Sequence, residues 1–447
     1  MATMATQQPL EALRSARLPL TGAGTDYDPI IDAARDADFV LIGEASHGTH
    51  EFYLERARIT QRLIEQLRFD AVAVEADWPD AYRVNAYVRH MGGDSSADEA
   101  LGGFKRFPTW MWRNRVVERF TEWLREHNAR VGTERQSGFY GMDLYSMHTS
   151  MDEVLRYLDK TDPEEAKKAR ERYACFSTYG SDPQAYGYMA ARAPSASCEN
   201  AALQQLLELR SHAAEYRGQD GRGAADAYFY AEQNARLVKN AEEYYRTMFR
   251  GGISSWNLRD RHMVDTLYAL RDHLRAQGSE HPRIVVWAHN SHLGDARATQ
   301  MGAWGEWNVG QLVRERSGAA ALNVGFTTFT GTVTAATEWD EPAQLKRVRP
   351  GLAGSYERLM HDVGEARFLV SLREEALRDA LDQPRLERAI GVIYRPETER
   401  QSHYFDALLP SQFDFLIHID ETHALEPMEY GAHWTGGEAP ETFPTGI

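Results

Sequence analysis

The chain predicts an α/β protein: a mostly parallel sheet flanked by helices and interrupted by a long helical insertion. Three observations carry this. Short apolar runs without polar alternation recur at Asp38–Ile42, Ala71–Val74, Phe139–Met142 and Ile284–Trp287, the pattern of strands buried on both faces. The first two flank one stretch at helical spacing, which makes a right-handed βαβ unit with a parallel pair. From about Met151 to Gln277 no β-type run occurs, only Ala/Glu/Arg/Leu/Tyr-rich stretches at helical spacing.

Taken in order, the first strand ends at Ile42 and a loop runs from Gly43 to Gly48. A helix then spans Thr49–Leu67, with Phe52, Ile59, Leu63 and Leu67 on one face. Thr49 is its expected N-cap, and Glu51 in the first turn suits the helix dipole. After the second strand, Glu75–Pro79 punctuates before a helix through Tyr82 and Val88. The insertion is broken at Gly218–Gly223 and at Gly251–Gly252, and Ser254 or Ser255 is placed to cap the helix carrying Trp256 to Arg275. Strand texture resumes at 284 and recurs at Ala321–Phe326, Phe368–Val370, Ile390–Ile393 and Phe415–Ile419. Residues 1–150 and 278–447 therefore read as one α/β domain, and 151–277 as a helical one.

Composition narrows the function. The 447 residues carry a net charge of -16 and no Lys/Arg-rich tract, which argues against nucleic acid or an anionic membrane as partner. Glu11, Arg14 and Arg17 interrupt any signal-like apolar core, and no apolar run approaches the length of a membrane span. A cytoplasmic protein with a small-molecule partner is expected; oligomeric state is not legible. The two cysteines, Cys175 and Cys198, are too few for a disulfide scaffold and wrongly spaced for a zinc cluster. Cys175 reads as a structural thiol.

The chemistry lies at the strand ends. Glu44 and His47 follow the first strand, Glu75 and Asp77 the second, Asp143 the third, His289 and His292 the fourth. In open α/β sheets that edge is where ligands bind. A carboxylate beside a histidine orients the imidazole and fixes its tautomer, so that it takes a proton from water near neutral pH. A second histidine or an arginine then stabilises the oxyanion of water attack. This is the equipment of a hydrolase without a covalent nucleophile. Ser46 does not supply one, because Gly43–Gly48 is not a G-x-S-x-G elbow, and no phosphate-cradling glycine loop follows any strand.

Arg56 sits at the border of the apolar helix face, while Arg58 reads as a solvated arginine. For Phe107–Arg113, including Trp110, a pocket wall and a packed loop are both open readings. For Trp256–His262 a helix-end salt-bridge network is favoured over a reach into the cleft, and His403 and His418 read as structural histidines. A metal site also stays open, with Glu44, His47, Glu75 and His289 as ligands for Zn²⁺ or Mn²⁺ whose bound water attacks. Against it, no close ligand pair such as H-E-x-x-H occurs. A non-catalytic small-ligand binding protein is the third class.

The motifs Gly43-Glu44-x-x-His47-Gly48 with Glu51-Phe52, Val74-Glu75-Ala76-Asp77-Trp78 and Trp287-Ala288-His289-Asn290-x-His292 resemble the erythromycin esterase family in order, spacing and strand context. The likeness extends over nearly the full length, including the stretch from Asp414 to Glu426. It implies a three-layer α/β/α fold with a helical lobe over the cleft, and hydrolysis of a carboxylic ester or lactone by activated water, without a cofactor. It also implies roles: His47 as general base, Glu44 as its partner, Arg56, Glu75 and His289 as further essential groups. His292 would line the site. Asp77 and Trp110 are candidate substrate contacts on the reading of the residues alone, not through the resemblance. The substrates known for the family are macrolide antibiotics, whose lactone ring is opened, a route to antibiotic resistance. A distant branch binds metals through comparable Glu/His positions.

Overall fold

The computed structural model describes residues 4–429 except 181, 219–220 and 250–251. The strands among them are β1 (Leu18–Pro19), β2 (Phe39–Ile42), β3 (Ala71–Asp77), β4 (Gly138–Asp143), β5 (Ile284–Trp287), β6 (Ala321–Ala335), β7 (Gln344–Val348), β8 (Arg367–Ser371), β9 (Arg385–Arg388), β10 (Tyr404–Ala407) and β11 (Phe415–Thr422). Nine form one sheet in the order β1-β8-β11-β6-β2-β5-β3-β4, with β7 paired to the second half of β6. From β11 to β4 the strands are parallel. β8 lies antiparallel to both β11 and β1. β9 and β10 pair with each other outside this sheet.

Alternation along the central strands feeds two cores, one on each face. Val40, Ile42, Val72, Val74, Val285 and Trp287 pack with Phe52, Ile59 and Leu63 of the helix His50–Leu67 and with Phe120 of the helix Arg115–Arg130. Phe39, Leu41, Ala71, Ala73, Ile284 and Val286 pack instead with Val154, Tyr228, Leu237 and Leu267, all from helices after β4. The sheet is thus covered on both faces, giving three layers.

Residues 151–277 hold helices and no strand among the described residues, and they share a hydrophobic core with one sheet face. The glycine breaks fall where helices Gly221–Met248 and Gly252–Ala276 begin; Gln219, Asp220 and Gly251 of those breaks lie outside the described residues. Ser254 and Ser255 fall inside the second of these helices, so neither precedes it as a cap. Thr49 holds the N-cap position of His50–Leu67 but makes no capping bond there; its hydroxyl pairs with Ser46. No described helix is long and apolar enough to cross a membrane.

Two expectations need correction. Ile390–Ile393 is not a strand: Ile390 makes one bridge to Ser46 and Ile393 one to Ala336, and the ladder lies earlier, at β9. A short apolar run looks the same whether it enters a ladder or walls a cleft. Cys175 is not a free thiol, because it is joined to Cys198 with Cα atoms 6.0 Å apart. Cys175 follows the helix Pro163–Tyr173 and Cys198 immediately precedes Glu199–Ser211, so the pairing ties two helix ends together.

Between β9 and the helix Tyr356–His361 lies a buried carboxyl pair, Glu387 and Glu357. Glu357 accepts the Arg388 backbone N–H at 2.9 Å, while both Glu387 oxygens are buried without a partner. Burial first, and Glu357 next, push Glu387 up to about 8. A carboxyl whose folded pKa lies above its unfolded value holds its proton better when folded, so stability falls as pH rises between the two values. Glu387→Gln should remove this slope. Melting temperatures taken from pH 5 to pH 8.5 should drop less in the variant than in the wild type, and parallel curves would show that Glu387 is ionised already.

Candidate active site

The register Ile42–Trp287–Val74–Gly141 sets the ends of β2, β5, β3 and β4 level, so their following residues meet at one edge. The loop after β2 is pinned between backbones. A Cβ on Gly43 would sit 2.2 Å from Asn290 Oδ1, and one on Gly48 would sit 1.8 Å from the Thr334 carbonyl oxygen. Ile390 closes the loop from the other side: its N–H donates to Ala45 O at 2.9 Å and its carbonyl accepts from His47 N at 3.2 Å.

Glu44 is the hinge of the first group. Its Oε1 lies 2.8 Å from His47 Nδ1 and its Oε2 3.0 Å from Arg56 Nη2. Arg56 is fully buried, with its guanidinium carbon 4.4 Å from the Tyr53 ring centroid and 5.0 Å from that of Trp287. Aromatic faces stabilise a cation that water cannot reach. Arg58 is half-exposed and pairs with Glu55. A carboxylate on Nδ1 leaves the His47 Nε2 lone pair for the cleft.

Glu75 anchors the second group. Its Oε1 accepts from Arg259 Nη2 at 2.8 Å and its Oε2 from the His289 backbone N–H at 2.9 Å. Burial would raise its pKa, but His292, His47 and Arg259 outweigh burial and hold the carboxyl well below the ordinary carboxylate range. Arg259 also donates from Nε and Nη2 to Asp143, at 3.0 and 2.7 Å.

The two histidines after β5 take opposite states. The Ser291 backbone N–H donates to His289 Nδ1 at 3.2 Å, which places the His289 proton on Nε2. Burial, then the neighbouring His47, keep His289 well below the ordinary imidazole range, so it is neutral. Its Nε2 is buried without a partner, and its ring centroid lies 4.9 Å from that of His47. His292 Nδ1 lies 2.9 Å from Asp260 Oδ1, and its ring stacks on Trp256 at 4.4 Å. Burial lowers the His292 pKa, but Asp260 and Glu75 prevail and push it up to about 10. When charged, Nε2 turns its proton toward Glu75 Oε1 at 3.4 Å; when neutral, it accepts from Arg259 Nη1 at 3.1 Å.

His47, Glu75, Arg259, His289 and His292 line one cavity of about 220 Å³. Glu44 and Arg56 stand behind His47. Asp77 faces an adjoining cavity and is bound by Arg106, 2.9 Å from Nε to Oδ2. Trp110 does not line either cavity: it is buried in the core with Trp112 and Phe120, while Phe107, Met111 and Trp112 reach the wall. Trp110 and Met111 are both buried in the short turn Thr109–Met111. Ser46 is buried with its hydroxyl on Thr49. His418 is a satisfied core residue, its Nδ1 2.9 Å from Thr327 Oγ1. His403, expected to be structural, lines the larger cavity. Among the described residues, the ligand atoms close enough together for a metal ion belong to Glu165, Glu208 and His212, in the helical stretch. The cleft residues do not form such a group.

The family profile for erythromycin esterase matches residues 64–422. The chain belongs to the erythromycin esterase family. It is similar to a putative hydrolase, YbfO, of Bacillus subtilis (strain 168), 23% identical over 85% of this chain and 83% of that one. It is equally similar to an erythromycin esterase type II of Escherichia coli, 23% identical over 69% of this chain and 73% of that one. The fold matches a crystal structure of a Bacillus cereus protein with a TM-score of 0.78, 18% identity and coverage of 95% and 99%. It matches a succinoglycan biosynthesis protein with a TM-score of 0.76, 20% identity and coverage of 94% and 98%. An erythromycin esterase mutant in its open conformation matches with a TM-score of 0.64, 16% identity and coverage of 89% and 93%.

Within this member of the family, Arg259, Asp260 and Trp256 complete the site from the helix Gly252–Ala276. They lie in the stretch Trp256–His262, which the sequence reading assigned to a helix-end network; its concentrated polarity was the available signal. Arg259→Met should leave Glu75 and Asp143 buried without their counter-charge, at a cost of about 3–5 kcal/mol. Arg58→Ala removes a half-exposed arginine from a Glu55 that keeps Tyr27 and Arg367, and should cost less than about 1 kcal/mol. Denaturant unfolding of both variants checks the contrast, and equal losses would mean that Arg259 is not the counter-ion of the cluster.

Proposed function

We propose that this hydrolase cleaves a carboxylic ester with water activated by His47. One observation carries the reading: a Glu44–His47 pair sits beside a neutral His289 that carries its proton on Nε2, inside one cavity. His47 Nε2 takes a proton from water as the oxygen attacks the carbonyl carbon. The electron pair moves to the carbonyl oxygen, where the His289 Nε2–H supplies a preorganised donor. Collapse breaks the C–O bond, and the alkoxide recovers the proton from His47. Water is consumed, and an acid and an alcohol leave. Glu44 and Arg56 hold the base in place, and Glu75 fixes the His289 backbone. A macrolactone is one such ester, and the name of the Escherichia coli relative supports it as a candidate.

Water activation is assigned to His47 alone. Supporting this, both Glu75 oxygens already have protein partners, and the described cleft residues do not bring three ligand atoms together. Activity should therefore survive prolonged dialysis against a chelator. Loss that Zn²⁺ or Mn²⁺ restores would establish a metal-bound water as the nucleophile.

His47→Ala should lower kcat by roughly two to four orders of magnitude, the usual weight of a general base. KM should change far less, because the base acts mainly in the transition state. Glu44→Gln keeps the shape but loses the charge that steadies an imidazolium, and should lower kcat as well. Steady-state kinetics decide the matter: a His47→Ala enzyme near the wild-type rate would remove this residue from the mechanism.

A further inference from the structure

The reacting centre sits where two chambers join. His47, Glu75, Arg259 and Val392 line both. The larger, about 220 Å³, is walled by Trp256, Trp339, Ala389, Gly391, Ile393 and His403. The smaller, about 50 Å³, is walled by Phe107, Met111, Trp112 and Tyr145 together with Asp77 and Arg106. Phe107 of the small chamber touches Trp339 of the large one in an edge contact, ring centroids 5.7 Å apart, across their common rim.

These volumes limit the substrate. The small chamber, at about 50 Å³, has less than a quarter of the room of the large one, at about 220 Å³. Drug-sized ligands fill pockets of about 300–1,000 Å³. A lactone adds a geometric objection. Its acyl and alkoxy arms belong to one ring and must leave the reacting carbon toward the same space. The chambers share four wall residues and otherwise have separate linings, so they suit two arms that are not joined.

The small chamber also carries a chemical demand. Asp77 is buried, its Oδ2 accepts from Arg106 at 2.9 Å, and its Oδ1 has no protein partner. A buried acceptor left without a donor is costly, so it calls for a donor from the ligand. A hydroxyl or ammonium group on a short arm supplies one.

We propose, on the ester-hydrolase reading above, that the substrate is an acyclic ester with two unlike arms. One arm is compact, of a few heavy atoms, and bears a hydrogen-bond donor for Asp77. The other is apolar or aromatic and lies between Trp256 and Trp339. Hydrolysis releases a small polar product and a larger apolar one.

The test uses the full chain and esters of defined shape. p-Nitrophenyl glycolate, acetate and hexanoate place a short donor-bearing arm, a short plain arm and a long arm against one aromatic partner. 2-Hydroxyethyl benzoate and ethyl benzoate put the same question with the arms exchanged between acid and alcohol. Erythromycin serves as the macrolactone. The hydroxylated member of at least one short pair should exceed its plain partner in kcat/KM by about tenfold or more, the weight of a hydrogen bond to a charged group. Hexanoate and erythromycin should be poorer than acetate. Asp77→Asn should bring the glycolate-to-acetate ratio toward one. Phe107→Ala, which opens the small chamber, should raise the hexanoate-to-acetate ratio; this gain cannot come from misfolding. Erythromycin turned over as well as the best acyclic ester, or ratios unmoved by both variants, would overturn the two-arm proposal while leaving the hydrolase intact. Absence of all ester hydrolysis, or hydrolysis indifferent to His47→Ala, would overturn the underlying reading as well.

Discussion

A single buried carboxylate, Glu75, holds three parts of the chain in register. It sits at the end of β3, takes the His289 backbone N–H from the end of β5, and takes Arg259 from a helix that enters the fold more than a hundred residues later. An ionised carboxylate without water is expensive unless every oxygen is satisfied. That requirement makes the position of His289 and the docking of the helix Gly252–Ala276 conditions of the same equilibrium. Asp143 and His292 extend the cluster, so the charges cancel within a few ångströms.

The same low-polarity setting explains how two histidines three residues apart behave as different chemical groups. His292 has carboxylates toward both nitrogens and is pushed up to about 10. His289 has a backbone N–H on Nδ1 and the His47 ring beside it, and stays neutral. In water both would titrate near the same pH. Here one is a cation balancing acids and the other a neutral ring beside His47. Its short hydrogen-bond partner, not its residue type, decides the role of each.

How far the sequence revealed this follows from the same physics. β2, β3, β4 and β5 were legible because strands covered on both faces must be continuously apolar, and the site residues were legible because they interrupt those runs at their ends. Ile390–Ile393 misled because a cleft wall and a buried strand demand the same side chains. Arg259 was only partly legible: the concentrated polarity of Trp256–His262 marked its stretch, but on a helix it has the spacing of any arginine, and only the tertiary docking brings it to Glu75. Trp110 failed for the opposite reason, since in an aromatic-rich turn the sequence does not say which ring faces the core. The Cys175–Cys198 pairing depends on how two helix ends meet, which spacing does not encode.

Cleft size and catalytic geometry are coupled through these contacts. On one side the wall is the helix turn carrying Trp256, Arg259 and Asp260, and moving it outward would strip Glu75, Asp143 and His292 of their partners. On the other side the wall at 389–393 is bonded by its backbone to Ala45 and His47. Enlarging the cleft from either direction therefore either uncovers a buried charge or shifts the loop that holds the base. Packed interiors resist such changes rather than yielding gradually. On the proposed two-arm reading, selection among substrates would follow from the fit of each arm to a chamber whose dimensions Arg259, Trp256 and the 389–393 wall maintain.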